Sequence, residues 1–449
     1  MIRPVSFSAS SGASSRTPRR HDLRSSQGSP EAAGLAPLLT PEGWALLSSL
    51  PPYDESEALA LGERLRAEGH DPALVAAALT QQRLRGRAAA KFGPFAERML
   101  LTPDGLEQAT RLVVSAHHAA RFAAAGPKLA ADLGCGIGGD AMALAGLGLR
   151  VLAVERDEAT AALATVNLMP FPEAEVRCAD AMAIDLAAEG VDAVFADPAR
   201  RAGGRRITDP EQWSPALSRV LALRERVEAL GVKVAPGIDH ALLPADSHAQ
   251  WVSVDGEVVE AGVWCGPLAP EGPGRSALCL RTGADGEARA HVLRDPSCTD
   301  PSTPPEQLEP VADVDDLGSW VHEPDGAVIR AGLVGEVARR LGARPVGERI
   351  AYLTGDSPAP AGLAPFVRSW RLVDVLPLRA KALRGRVRER GVGRLEIHKR
   401  GVDQSPDLLR KQVRPSGTAS ETWLLTRVGA RGGGLARGAV LVVEDAPAA

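Results

Sequence analysis

Four carboxylates, Asp132, Glu155, Asp180 and Asp197, stand in order through the middle of this 449-residue chain. The first opens a glycine-rich string, Asp132-Leu133-Gly134-Cys135-Gly136-Ile137-Gly138-Gly139-Asp140. Carboxylates accept hydrogen bonds from amines and hydroxyls. Glycines at Gly134, Gly136 and Gly138 let backbone approach a ligand closely, because no Cβ intervenes. Gly134, Gly136 and Gly139 also satisfy the dinucleotide pattern Gly-x-Gly-x-x-Gly, a weak signal by itself. The last acid begins the string Asp197-Pro198-Ala199-Arg200-Arg201. There a carboxylate and the Pro198 carbonyl can accept both N–H groups of an amine, while the Arg200 guanidinium can stack on a base or hold a phosphate.

These residues need elements that bring them together. "KLAADLG", "RVLAVER", "AEVRCAD", "VDAVFAD" and "VKVAPG" are short apolar runs separated by helical stretches. Strands alternating with helices predict a doubly wound, Rossmann-like α/β sheet whose ligands bind at the carboxyl ends of the strands. Each of the four acids closes one of these runs. Any one of them alone reads equally as a helix cap or a solvated loop residue, but packing does not explain four in succession. A dinucleotide enzyme would use Glu155 on a ribose, yet has no need of Asp180 or the Asp-Pro turn. S-adenosylmethionine, with an amino-acid end, a ribose and an adenine, uses all of them. Asp132, or Asp140 through water, can accept from its ammonium, Glu155 from both ribose hydroxyls, and Asp180 from the adenine amine.

The strings "DLGCGIGGD", "VERD", "CADA" and "FADPAR" resemble the first four motifs of class I S-adenosylmethionine-dependent methyltransferases. Together with "KFG", "LTPDGLEQATR", "KVAPGIDH", "EPDGAVIRAGL" and "LEIHKRG", the chain from about residue 41 resembles a bacterial methyltransferase family with a C-terminal THUMP-like domain. The resemblance implies RNA (tRNA or rRNA) as partner, since THUMP-type domains bind RNA. The layout is also similar to the RNA-cap guanine-N2 methyltransferases, whose Pro-Pro-aromatic motif is here Asp197-Pro198-Ala199-Arg200, without the stacking ring. The Asp-Pro-x-Arg form resembles the uracil-C5 enzymes too, but their cysteine after the fifth strand is absent from "KVAPGIDH". Transfer to an exocyclic amine, with Asp197, Pro198 and Arg200 as the catalytic set, is therefore expected. A small-molecule or protein methyltransferase, or a non-catalytic RNA-binding protein that kept the fold, remains the alternative. The scattered His residues suggest no metal.

The rest of the chain sets the domain plan. Residues 1–36 are Ser- and Arg-rich without apolar periodicity and read as a disordered leader; residues 37–125 read as a helical subdomain with Thr40-Pro41 as a capped start. His117 and His118 within it are expected to be surface or packing residues, with no partner cluster nearby. The methyltransferase domain is expected over 126–285. A linker is placed over 286–316, marked by "DPSCTDPSTPPEQLEP", and an α+β THUMP-like domain over 317–449. Arginine supplies all but six of the 52 basic residues, which looks like coding bias rather than function. Its distribution still matters: from Arg379 to Ala449 there are 15 Lys and Arg against 7 Asp and Glu, in a chain of net charge −4. Such asymmetry is the footprint of a nucleic-acid-binding module, with His398, Lys399 and Arg400 as its expected contacts. Five widely spaced cysteines predict reduced thiols and a cytoplasmic protein.

Overall fold

The computed structural model describes residues 34–202, 205–429 and 438–445. The expected leader therefore lies outside the described residues up to residue 33. Of its last three residues, Leu35 is buried and Ala36 opens a short 3-10 turn, so these belong to the fold.

Five helices come first: α1 (Pro41–Ser49), α2 (Ala58–Ala67), α3 (Pro72–Phe92), α4 (Pro103–Gln108) and α5 (Leu112–Ala125). Thr40, Asp71 and Thr102 each accept a backbone N–H of the turn they cap, and each is followed by proline at the first helical position. A capping oxygen satisfies an orphan amide while proline has no N–H there to lose. These helices pack directly onto the glycine string and the sheet's own helices. Phe92 lies against Gly139, and Asn167 bonds both the N–H and the carbonyl of Leu100, at 2.7 and 3.0 Å.

The central sheet begins with β1 (Ala130–Leu133), β2 (Val151–Glu155), β3 (Ala174–Cys178) and β4 (Ala193–Ala196). Helices α6 (Gly139–Gly146), α7 (Glu158–Leu168) and α8 (Leu186–Glu189) connect these strands. A two-residue ribbon, β5 (Arg201–Ala202) with β6 (Arg205–Arg206), leaves the end of β4, and α9 (Leu217–Leu221) leads to β7 (Ala229–Val234). Then come β8 (His248–Val254), β9 (Glu257–Cys265), β10 (Gly274–Thr282) and β11 (Ala288–Arg294). The spatial order is β11-β10-β8-β9-β7-β4-β1-β2-β3. From β3 to β7 all neighbours are parallel, whereas β9 runs antiparallel to both β7 and β8. This is the expected doubly wound α/β sheet, with an extension at one edge.

The extension corrects the expected linker. Its opening residues form β11, which pairs antiparallel with β10 from Arg294 back to Ala288. The Asp285-Gly286 turn signalled the hairpin, but an edge strand with mostly solvated side chains has no apolar run to announce it.

The C-terminal part forms a second sheet with helices. Its elements are β12 (Trp320–Pro324), α10 (Gly326–Arg330), α11 (Val334–Leu341), β13 (Arg344–Pro345), β14 (Leu353–Gly355) and β15 (Val367–Pro377). They continue with α12 (Ala380–Glu389), β16 (Val392–Lys399), α13 (Pro406–Val413), β17 (Ala419–Thr426) and β18 (Ala439–Asp445). The strand order is β13-β14-β12-β15-β18-β17-β16. Leu383, Val387, Leu409 and Val413 seat α12 and α13 over Trp423 on one face of it. Ala327, Val328 and Val337 of α10 and α11 instead join the hydrophobic core of the first sheet. Arg281 of β10 closes the junction with bonds to Asp325 at 2.7 Å and to the Pro365 carbonyl. Among the described residues no helix is long and apolar enough to cross a membrane, and all five cysteines are free thiols.

Candidate active site

A cleft of about 1680 Å³ opens where the carboxyl ends of β1, β2 and β4 meet α4 and α5, and all four acids line it. β1 delivers the chain into the glycine string, where Gly134, Gly136 and Gly138 take φ values of +87°, +55° and +89°. Such angles favour glycine. At Gly134 the space is also limited: a Cβ would sit 3.1 Å from the Asp197 carbonyl oxygen. The string is tied to the next strand by Glu155, whose carboxylate accepts from Gly136 N–H at 3.2 Å and from Asp157 N–H at 2.9 Å. Asp180 caps the following turn through Met182 N–H at 2.9 Å and is exposed at the rim.

Asp132 differs from these. It is 1 % exposed, and its Oδ2 has no hydrogen-bond partner among the described residues. Burial, then the neighbouring charges of Asp140 and Asp197, hold its carboxyl well above the usual carboxylate range, with Lys233 opposing. A buried acceptor without a donor in a cleft is costly unless a ligand completes it. The ammonium of S-adenosylmethionine is such a donor, and the positive-φ glycines beside it leave the backbone open to the ligand. With Glu155 and Asp180 along the same wall, the residues present fit that cofactor.

Asp140, expected to reach the ammonium through water, is also held from within the protein: its two oxygens accept from Thr110 Oγ1 at 2.8 Å and pair with His118 Nδ1 at 2.9 Å. The reading of His118 as a residue without partners is corrected. Its ring is 4 % exposed and its Nε2 reaches Glu260 of β9 at 2.7 Å. Burial alone would lower its pKa, but the Glu260 charge and the bonds to Asp140 and Glu260 raise it to about 10. Burial pulls Asp140 the other way, yet its bond to His118 and the charges of His118 and Lys233 bring it down to about 2. The imidazolium thus joins helix α6 to strand β9.

Lys233, in β7, completes the network and was missed in the sequence. Its ammonium is 2.7 Å from Asp197 Oδ2 and 2.8 Å from Thr110 Oγ1. Burial disfavours its charge, but Asp197, Glu260 and Asp140 outweigh that and hold it firmly protonated. A lysine inside an apolar strand was the available signal, since buried lysines are rare unless paired. Asp197 therefore has one oxygen fixed, and Oδ1 has no partner among the described residues. Pro198 is buried, while Arg200 is half-buried on the cleft lining.

His398, Lys399 and Arg400 lie elsewhere, at the end of edge strand β16. His398 pairs with Glu396 at 2.8 Å, and Arg400 pairs with Glu323 at 2.7 Å while lying over the Tyr352 ring. Of the three, only Lys399 is exposed without an ion pair among the described residues. Among those residues there is no cluster of His, Cys, Asp and Glu able to hold a metal ion.

Residues 131–221 match the methyltransferase domain family, residues 367–442 the THUMP domain-like family, and residues 31–88 a domain of unknown function. An uncharacterised S-adenosylmethionine-dependent methyltransferase of Mycobacterium tuberculosis, recorded in strains CDC 1551 and H37Rv, is 33 % identical over 356 residues. The match covers 77 % of this chain and 91 % of that protein. The crystal structure of a proposed methyltransferase from Porphyromonas gingivalis W83 superposes with a TM-score of 0.64 at 21 % identity, over 88 % of this chain and all of that one. The sheet order, the glycine string and this length of shared sequence lead to one conclusion: the chain belongs to the S-adenosylmethionine-dependent methyltransferases.

Proposed function

We propose that this enzyme methylates an exocyclic amine of a base in RNA, tRNA or rRNA, in the cytoplasm. The observation that carries this reading is the state of Asp197. Lys233 fixes one oxygen and leaves the other at the edge of the cleft, beside the stiff Pro198 turn. Bound S-adenosylmethionine supplies a methyl group on a sulfonium leaving group. Catalysis is then mainly alignment of nucleophile, methyl and sulfur. An aromatic amine delocalises its lone pair into the ring. Acceptance of its two N–H groups by Asp197 Oδ1 and the Pro198 carbonyl favours the pyramidal, nucleophilic form. The amine nitrogen would take that methyl in place of one of its protons, which would pass to water in the open cleft.

On the cofactor side, Asp132 receives the ammonium, Glu155 the ribose hydroxyls and Asp180 the adenine amine. On the RNA side, the C-terminal module offers Lys399 and a stripe on α12. Lys381, Arg384 and Arg388 are exposed at helical spacing, on the face adjoining the buried Leu383 and Val387, and none has an ion pair among the described residues. Three cations on one helix face suit a phosphate backbone.

The test is Asp197→Asn, because the amide oxygen still accepts from Lys233 whereas an alanine would strand that ammonium. Cofactor affinity by calorimetry should be retained. Single-turnover transfer to total RNA from cells lacking the gene should fall about 10²–10⁴-fold. Identical modified-nucleoside profiles in cells with and without the gene, together with no transfer to RNA in vitro, would refute the RNA reading.

A further inference from the structure

The ribbon β5–β6 follows the Asp197-Pro198 turn directly and holds Arg201 and Arg206 directly opposite each other in the register. Like charges opposed across a strand pair repel and destabilise it. A sequence that builds such a conflict into a short ribbon needs a compensating charge. Arg201 has one, since its guanidinium pairs with Glu107 of α4 at 2.8 Å, which also ties the ribbon to the helical wall of the cleft. Arg206 has none among the described residues and is exposed. Arg219, on α9, is in the same condition. Arg200, Arg201, Arg206 and Arg219 all line the cleft.

The base of the ribbon is fixed by backbone bonds. Ala199 and Ser214 exchange backbone hydrogen bonds at 2.9 and 3.0 Å, and Ile207 N–H bonds the Arg200 carbonyl at 2.8 Å. The composition of the lining decides what the site takes. Among the described residues no Phe, Tyr or Trp lines the cleft, so an acceptor gains no aromatic platform there. What the acceptor side presents instead is guanidinium groups, whose forked donors match phosphate oxygens.

We infer that Arg206 and Arg219 form a phosphate seat for the acceptor strand beside the methylated nucleotide, with the Glu107-anchored Arg201 holding the ribbon in place. The inference rests on the RNA reading and adds a second grip, separate from the C-terminal module. One grip places the strand on the enzyme, and the other places the target nucleotide at Asp197. Phosphate contacts of this kind fix register without reading sequence.

The full-length Arg206→Ala/Arg219→Ala variant tests the seat, with a fluorescein-labelled single-stranded RNA of mixed sequence as the probe. Two lost contacts should lower the log–log salt slope by about 1.4. Between about 50 and 200 mM KCl, wild-type affinity should then fall roughly sevenfold more than that of the variant. Calorimetric affinity for S-adenosylmethionine should be unchanged. If the double variant does not fold, Arg206→Glu at the same exposed position replaces it and should weaken RNA binding further than neutralisation. Wild-type-like affinity and slope in these variants, while wild type binds the probe, would overturn the seat alone. A wild-type enzyme that binds no RNA at any salt concentration would instead remove the RNA reading itself.

Discussion

Replacing Lys233 with methionine keeps much of the side chain's volume and removes its charge. In the native site Lys233 is 4 % exposed and its ammonium is 2.7 Å from Asp197, within a network that also holds Asp132, Asp140 and Glu260. Breaking a buried ion pair by deleting one partner costs about 3–5 kcal/mol. The Asp197 side chain is 26 % exposed, so water recovers part of the loss, and the lower end of that range, about 3 kcal/mol at neutral pH, is expected. For a domain of this size the corresponding fall in melting temperature is about 6 °C. The sign of its pH dependence comes from Asp132. Its carboxyl already titrates well above the ordinary range, and Lys233 opposes that shift. Without the lysine its folded pKa rises further. An acid whose folded pKa is raised carries a stability cost that is complete above that pKa and shrinks as the pH falls from it towards the unfolded value of about 4. Thermal melts of Lys233→Met against wild type should therefore differ more at about pH 8 than at about pH 5. A variant within about 1 kcal/mol of wild type, and equally so at both pH values, would refute this charge network.

Glu155→Ala should weaken S-adenosylmethionine binding by about 1.5–3 kcal/mol through loss of charged hydrogen bonds. Glu155→Gln should recover part of this, because an acceptor for Gly136 N–H remains; calorimetry reads both. His118→Leu leaves Asp140 and Glu260 facing each other without their cation. Since the folded-state pKa of His118 is raised to about 10, its contribution to stability is complete below about pH 6.5 and is lost as pH rises towards 10. Melting curves across that window should therefore fall in wild type, while the already destabilised variant lacks this component. Alanine at Lys381, Arg384 and Arg388 together should reduce the salt slope of RNA binding by about 2.1, at 0.7 per contact, without changing cofactor affinity. Adding Lys399→Ala should lower it by about 0.7 more.

Local chemistry was the legible part of the sequence. Thr-Pro and Asp-Pro pairs marked helix starts, the change of period marked the sheet, and the four acids fell at strand ends where a ligand binds. What escaped was held together by distance in the chain. His118 and Glu260 are separated by 142 positions, and only the completed sheet, with β9 reversed between β7 and β8, brings them to one ring. The partners that hold Asp140 from within the protein, Thr110 and His118, come from the helical part that precedes the sheet. Arg400 looked free for the same reason, since Glu323 comes from a strand on the far side of the C-terminal sheet. The edge strand β11 was hidden differently, because solvated side chains carry little apolar pattern.

The placement of His118 also governs how this protein can be taken apart. A fragment starting at β1 would keep every residue of the glycine string and every cofactor acid, and by sequence motif it would look like a whole methyltransferase. Physically it would be unfinished: Asp140 and Glu260 would lose the imidazolium between them, Lys233 would lose the Thr110 hydroxyl, and Gly139 would lose the Phe92 ring. A fragment assayed as an enzyme is therefore expected to need α3 through α5.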